Sequence, residues 1–246
     1  MLDDMRELRD SLERYRAAAQ AAGIELPAPE RKTPAPPTDL VLRMTDVEQI
    51  PEQLLWLYSI GWGAARLFPE GVFLMDWPGE AEIAEYVDYT ALAIGVPFPW
   101  RQQLPIFFTD HVVLTFVLAE GHVGEIWHYE WEPDSTSPVR AAMSLAGLFD
   151  QWTKGIEIGV VVKTKWVEWL QVIVEGDEAM NDEATLERLA VLGLDPLAFP
   201  LWMGGCSRLR EWQAACGVDP AEIDREFDAR EEMVDAAIAV AAELQR

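Results

Sequence analysis

The chain has 246 residues, 50% of them hydrophobic and 11 of them tryptophan, and this composition supports a buried core and argues against intrinsic disorder. Asp and Glu number 43 against 19 Lys and Arg, so the formal net charge is −24 at pH 7. Such a charge repels nucleic-acid phosphates and anionic membranes and favours a basic protein partner, although solubility alone also selects acidic surfaces.

Three further features predict where the protein resides. No apolar run reaches the ~18 to 20 residues that a membrane span needs. The charged N-terminus lacks the apolar region of a signal peptide. Cys206 and Cys216 fit neither a metal motif nor a redox motif, and two unpaired thiols are typical of a reducing compartment. We therefore expect a cytoplasmic protein.

The N-terminal part predicts a helix followed by a linker. Residues 1–26 are predicted to hold an amphipathic helix, because apolar side chains recur on one helical stripe. The stripe consists of Leu2, Met5, Leu8, Leu12, Tyr15 and Ala19. The proline-rich residues 27–37 predict an extended linker, which would make the first helix a separately docked arm.

Residues 38–158 are predicted to form the main domain. Two short helices are expected between Thr38 and Ile60, with Pro51 at the start of the second. A strand is expected at Val72–Trp77 and a helix over residues 79–93.

The stretch from Leu104 to Trp152 predicts three strands, a loop and a helix. Its β-branched and aromatic runs are short and separated by turn residues. The period then changes, because Ala142, Leu145, Phe149 and Trp152 fall at helical spacing. The predicted fold class is therefore α+β, with a small, mostly antiparallel sheet and helices packed on it.

Residues 159–246 predict a helical extension. Residues 159–162 are read as a strand or a short connection, and helices are predicted at Lys165–Val174, Asp182–Leu192 and Ser207–Ala215. The final helix has the clearest start, with Asp219 as cap, Pro220 in the first position and Glu222 completing a capping box. Its apolar stripe consists of Ile223, Phe227, Val234, Ile238, Ala241 and Leu244.

The histidines offer little support for catalysis. His111, His122 and His128 lie on turns and a strand, at a spacing that fits no helical zinc motif. A metal site with Asp110 and Glu120, or a hydrolase built on these histidines, remains an alternative. No nucleophile elbow, P-loop or dinucleotide-binding glycine pattern is present in the sequence. We predict no catalytic residue, no metal and no cofactor.

The predicted strand from Glu125 to Glu132 is the main candidate for binding. Alternation puts Glu125, Trp127, Tyr129 and Trp131 on one face, and Ile126, His128, Glu130 and Glu132 on the other. Two interpretations stay open. The aromatic face is core, or the acidic and aromatic residues form an exposed surface that binds a basic partner. The full candidate set for partner binding is Trp62, Glu70, Asp110, Glu120, Glu125, Trp127, Tyr129, Glu130, Trp131 and Glu132.

Several short motifs also follow one another in a recognisable order. They are Ile50–Leu54, Gly61, Leu104–Ile106, Gly124–Trp127 and Ala142–Phe149. In this order they resemble the SUKH superfamily, which contains immunity proteins against bacterial polymorphic toxins and yeast cell-wall-assembly regulators of the Smi/Knr type. The resemblance covers residues 38–155. The chain departs from the family pattern after Leu104–Ile106, where Asp110 to Val112 replaces a glycine-rich turn.

The resemblance implies binding rather than catalysis. It suggests an immunity protein that neutralises a toxin, such as a nuclease, by direct contact, with a basic protein as its partner and no nucleic acid or membrane. An intracellular regulatory or adaptor protein of the same fold is the alternative, and a hydrolase is the third.

Overall fold

The structure is a computed structural model that describes residues 2–25, 38–61, 67–74, 94–130, 138–166, 169–174 and 182–244. Within these ranges the chain forms helices and two antiparallel sheets. The helices are α1 (Leu2–Ala21), α2 (Thr38–Met44), α3 (Glu52–Ser59), α4 (Leu145–Glu157), α5 (Asp182–Val191), α6 (Leu209–Ala215), α7 (Pro220–Asp228) and α8 (Arg230–Leu244), with short 3-10 helices at Trp100–Gln102 and Pro196–Ala198.

The larger sheet is a five-stranded antiparallel meander. Its strands are β1 (Phe73–Leu74), β2 (Gln103–Phe108), β3 (Val112–Val117), β4 (Ile126–Glu130) and β5 (Val139–Ala142), paired in chain order. The smaller sheet is the hairpin of β6 (Val161–Lys163) and β7 (Leu170–Val172). The α+β prediction, with a mostly antiparallel sheet and packed helices, is confirmed.

A threonine hydroxyl and two glycines stabilise the turns between the central strands. Between β2 and β3, the Thr109 hydroxyl accepts hydrogen bonds from the amides of His111 and Val112, at 3.1 and 2.8 Å. Between β3 and β4 the chain turns through Gly121 and Gly124, whose φ angles are +81° and +100°. A side chain at either position would be strained, because only glycine adopts this region readily.

One face of the larger sheet packs on α1, α3 and α4, and we call this side the first core. Its centre is an aromatic cluster in which Phe149 lies 5.6 to 6.3 Å, between ring centroids, from its neighbours. These neighbours are Tyr15, Phe68, Phe107 and Trp152, all at most 1% exposed. The N-terminal helix is therefore part of the main core rather than packed only at its edge. The predicted burial of Leu145, Phe149 and Trp152 is confirmed.

The opposite face of the sheet is also covered, and we call this side the second core. Val113, Val117, Trp127 and Tyr129 point into it from β3 and β4 and are at most 3% exposed. The C-terminal helices and residues 94–100 supply the covering side chains. Those side chains are Ile94, Val96, Trp100, Val218, Ile223, Ala237 and Ala241. The C-terminal segment thus covers the second face of the sheet.

Three predicted elements are wrong in detail. Ala142 belongs to β5, and α4 begins later, after Ser144, whose hydroxyl accepts from the Gly147 amide at 3.1 Å. Within the predicted helix at Lys165–Val174, residues Leu170–Val172 form strand β7 instead.

The predicted final helix is divided at Ala229 into α7 and α8. Its start is confirmed, because the Asp219 carboxylate accepts from the Ala221 amide at 2.9 Å. Of the predicted stripe, Ile223 and Ala241 are buried, but Ile238 is 51% exposed and its neighbour Ala237 is buried instead.

Some predictions lie outside the described residues. They are the proline-rich linker, the helix over residues 79–93 and the end of the strand at Val72–Trp77. In the part of the chain that the structure describes, none of the helices combines the length and the apolar character needed to span a bilayer.

The aromatic cluster gives a stability prediction. Phe149→Ala should lower the free energy of unfolding by about 3 to 5 kcal/mol, because a fully buried ring is lost and its neighbours cannot fill the cavity. Urea unfolding measures this. Ile238→Ala is the control and should change the free energy by less than about 0.5 kcal/mol, because Ile238 lies at the surface. Equal effects would contradict the assignment of the core.

Candidate functional site

Strand β4, the main candidate from the sequence, is buried along its whole length. Trp127 and Tyr129 are 1% and 3% exposed and belong to the second core. The Tyr129 hydroxyl oxygen lies 2.9 Å from the Gly95 carbonyl oxygen and 3.0 Å from Gln103 Oε1. The core interpretation of these two aromatic residues is therefore confirmed, and their exposure to a partner is wrong.

Glu125 is also buried, at 6% exposure, and its carboxylate has partners inside the protein. Oε1 lies 2.9 Å from His122 Nδ1, and Oε2 accepts from Trp127 Nε1 at 3.0 Å. The Arg140 guanidinium is 3.6 Å from Oε2. A buried carboxylate is tolerated when it is paired and hydrogen-bonded in this way. Glu125 therefore ties the turn before β4 to β5.

Glu130, at 2% exposure, attaches the C-terminal segment to the sheet. Its Oε1 accepts from the amide of Met203 and, at 2.9 Å, from the amide of Gly204. Gly204 is required at this point, because a Cβ would lie 2.7 Å from the Trp202 ring and 2.9 Å from Glu130 Oε2. The prediction that Glu130 lies on an exposed binding surface is wrong, because its carboxylate is buried and accepts hydrogen bonds from a backbone turn.

His128 lies on the same side of β4 as Glu130 and is fully buried. Neither of its ring nitrogens has a hydrogen-bond partner among the described residues. Burial lowers the pKa of His128 to about 4, and the carboxylate of Glu130 acts in the opposite direction. The imidazole is therefore neutral at pH 7.

The other histidines lie in different surroundings. His111 is exposed beside Trp202, with ring centroids 6.5 Å apart, and His122 is paired with Glu125. No three His, Cys, Asp or Glu side chains within the described ranges are grouped as metal ligands.

The remaining candidates are scattered. Asp110 and Glu120 are exposed on separate turns. The Glu70 carboxylate accepts from the Val172 amide, and so it anchors the β6–β7 hairpin. Trp62, Trp131 and Glu132 lie outside the described residues. The candidate residues that the structure describes therefore do not form the single acidic and aromatic surface that was predicted.

A cleft of about 200 Å³ lies where four distant segments meet. It is lined by Asp4, Glu7 and Leu8 of α1, Gln53 of α3, Val123 and Gly124 of the turn before β4, and Met143, Ser144, Leu145 and Ala146 at the start of α4. We call it the α4 cleft. Gln53, Gly124 and Met143–Ala146 belong to three of the motifs that resemble the SUKH superfamily. These motifs therefore converge on one place at the surface.

The floor of the α4 cleft is the first turn of α4. The first backbone hydrogen bond of this turn runs from Leu148 to the Ser144 carbonyl, and Ser144 also caps the Gly147 amide. The amides of Leu145 and Ala146 therefore have no acceptor within the helix. The N-terminus of α4 carries a partial positive charge at this place.

The rim of the α4 cleft combines apolar and acidic groups. Met143 and Val123 are 65% and 56% exposed, far more than most apolar side chains of this chain. Asp4 and Glu7 are exposed one helical turn apart on α1. Exposed apolar side chains beside converging polar groups are typical of a contact site. Sequence reasoning missed this site because no spacing along the chain connects its four segments.

Two other surface features expose apolar or aromatic side chains. A groove of about 530 Å³ runs between α1 and α4, lined mainly by Ala17, Ala18, Ala21 and Ala22. The charged Arg14 at its edge is paired with Asp150 at 2.7 Å. At the tip of the β6–β7 hairpin, Trp166 is 81% exposed, with Lys165 Nζ 4.5 Å from its ring centroid. Neither feature brings together as many kinds of group as the α4 cleft.

Comparison of the chain with protein-family models, with curated proteins and with solved structures finds no match. The assignment of a function therefore depends on the residues themselves.

The buried His128 gives a prediction about pH. Above about pH 6.5 the imidazole is neutral in both the folded and the unfolded states, so its protonation does not change the free energy of unfolding. As the pH falls from about 6.5 toward 4, the unfolded chain takes up a proton that the folded protein excludes. The free energy of unfolding should fall in this window, by up to about 3 kcal/mol from this group.

Urea unfolding at several pH values measures this effect. His128→Leu should reduce the loss of stability below pH 6.5, because the unfolded chain then has one fewer proton to bind. His111→Leu, the control at an exposed histidine, should leave the pH profile unchanged. Identical profiles for the wild type and His128→Leu would contradict the burial of a neutral imidazole.

Proposed function

We propose that this chain is a non-catalytic protein-binding module, an immunity protein that neutralises a basic bacterial toxin by direct contact. The observation that carries the proposal is the α4 cleft, where the motifs that resemble the SUKH superfamily meet exposed apolar and acidic side chains. A cytoplasmic location is part of the proposal, and the free thiols of Cys206 and Cys216 are compatible with it.

The net charge of −24 supports a basic partner. A nuclease carries a positive cleft that holds phosphates, and an acidic protein can occupy that cleft by presenting carboxylates in their place. The field of the whole molecule would draw the two proteins together before specific contacts form. This long-range attraction does not depend on which individual carboxylates finally reach the partner.

The burial of β4 changes which residues could act in binding. Glu125 and Glu130 are engaged inside the protein and stabilise the fold. Exposed carboxylates near the turns of the sheet include those of Asp110 and Glu120, and Asp4 and Glu7 are exposed at the α4 cleft. The proposed contact surface is therefore centred on α1 and the start of α4 rather than on β4.

The test is binding to the protein encoded beside this gene, when that protein is a toxin. The chain should inhibit the toxin at a one-to-one ratio. The association rate should fall at least about tenfold between 0.1 and 1 M salt, because the Debye length shrinks from about 10 to about 3 Å.

Two outcomes would contradict the proposed function. One is a toxin that keeps full activity in the presence of excess chain. The other is an association rate that does not change with salt, which would remove the electrostatic basis of the proposal. A neighbour that is not a toxin, but binds the chain with the same salt dependence, would favour the regulatory alternative.

A further inference from the structure

We infer that the chain forms a two-fold symmetric dimer through a surface at the C-terminal end of α4. We call this surface the hairpin end. It consists of the exposed parts of the β6–β7 hairpin, the residues that follow α4, and the end of α5. Three of its features lead to the dimer: its exposed apolar side chains, its two kinds of charge, and its distance from the α4 cleft.

Exposed apolar side chains are concentrated at the hairpin end. Of the nine large apolar side chains that are exposed among the described residues, five lie here. They are Ile158, Trp166, Ile173, Val191 and Leu192. Two hydrogen bonds hold the three segments together: the Lys154 ammonium group donates to the Gly193 carbonyl after α5, and the Ile173 amide donates to the Val160 carbonyl at 2.7 Å. A contiguous exposed apolar surface is typical of a protein–protein contact.

The hairpin that carries Trp166 is fixed at its base. The Glu70 carboxylate accepts from the Val172 amide, and the Glu70 amide donates to the Leu170 carbonyl at 2.7 Å. Near the tip, Lys165 Nζ lies 4.5 Å from the centroid of the Trp166 ring. Tryptophan is among the residues that contribute most to protein contacts, and a support that is already ordered reduces the entropy lost on binding.

The charges of the hairpin end make it complementary to itself. Three of the four lysines in the sequence belong to it, namely Lys154, Lys163 and Lys165. Lys163 and Lys165 are exposed on the hairpin, whereas Glu187 is exposed one helical turn before Val191 on α5. The end of α4 contacts both elements. A two-fold axis near this end exchanges the two sides and brings the hairpin lysines of one copy to Glu187 of the other, as an isologous interface requires.

A second copy matches this surface better than other partners do. A nucleic acid or an anionic membrane would attract the lysines but repel Glu187, and a basic protein would do the reverse. A second copy supplies a carboxylate for the lysines, lysines for the carboxylate, and apolar side chains for the centre. The net charge of −24 on each copy opposes association, but at physiological ionic strength the Debye length of about 8 Å limits this repulsion to nearby groups.

The hairpin end and the α4 cleft lie at opposite ends of the same helix. Helix α4 has 13 residues. At a rise of about 1.5 Å per residue its two ends are roughly 20 Å apart. The dimer therefore leaves both α4 clefts uncovered, and its formation does not depend on the proposed function.

Sedimentation equilibrium of the full chain at physiological ionic strength tests the inference. The mass should rise from that of one chain to that of two as the concentration increases from about 1 to about 100 µM, the range of a moderate interface. It should rise no further, because a closed two-fold contact uses up the surface that forms it. Lys163→Glu/Lys165→Glu should raise the dissociation constant at least about tenfold, since each charged contact occurs twice in the dimer.

Two further variants identify the contact. Adding Glu187→Lys to the lysine variant exchanges the signs across the interface and should restore the dimer. Trp166→Ala should weaken the dimer at least about tenfold, because an anchor of the contact is lost.

Each substitution has a matched control. Arg6→Glu/Arg225→Glu makes the same change in net charge on exposed residues of α1 and α7, and it should leave dimerisation unchanged. Ile238→Ala truncates an exposed apolar side chain of α8 and should also have no effect. All the substituted side chains are exposed, so the variants should fold, and thermal melting verifies this.

Four results would overturn the inference. They are the mass of a single chain at every concentration, a mass that grows beyond two copies, equal effects of the lysine and arginine variants, and a dimer that Glu187→Lys fails to restore. Inhibition of a toxin by a chain that stays monomeric would refute this inference alone. A dimer that inhibits no toxin would refute the proposed function alone.

Discussion

Strand β4 lies between two hydrophobic cores, so a carboxylate on it or next to it is stable only when it has partners inside the protein. Removing a carboxylate from water is costly unless hydrogen bonds and opposite charges compensate it. Glu125 meets this requirement with His122, Trp127 and Arg140, and Glu130 meets it with the amides of Met203 and Gly204. These bonds fasten the turn before β4, the neighbouring strand and the C-terminal segment to the sheet.

The C-terminal segment is consequently part of the central architecture. Its side chains complete the second core, and its Met203–Gly204 turn satisfies a buried charge on β4. Its first strands are also attached, because the Glu70 backbone amide donates to the Leu170 carbonyl at 2.7 Å. Removing this segment would uncover one face of the sheet and leave the Glu130 carboxylate without these two donors. The stability of the sheet and the presence of the segment are therefore linked.

Much of the fold could be predicted from local patterns. The stripe of α1 and the helical period from Leu145 to Trp152 depend on neighbouring residues, and the structure confirms the burial of both. The helix predicted to begin at Pro51 also forms, with Pro51 just before its first residue. The exposure of β4 could not be predicted in this way. Alternation separates the two faces of a strand but does not say whether a distant helix covers the second face. Here the covering residues, such as Ile223 and Ala237, lie about a hundred positions later in the chain.

The α4 cleft could not be predicted from local patterns either. Asp4, Gln53, Val123 and Met143 are far apart in the sequence, and each is unremarkable there as a single surface residue. Packing of α1 against α4 brings them together. The quoted motifs gave a partial signal, since three of them supply lining residues, but they carried no information about the acidic side chains of α1.

Glu125 and Glu130 support the fold from inside the protein, whereas the carboxylates at the α4 cleft are exposed to solvent. Labelling of the native protein with carbodiimide and glycinamide, followed by mass spectrometry of its peptides, tests this directly, because the reagents modify accessible carboxylates. Glu125 and Glu130 should stay unlabelled until the protein unfolds, while Asp4, Glu7 and Glu120 should react at once. Labelling of Glu125 and Glu130 in the native protein, as fast as that of Glu120, would contradict the account.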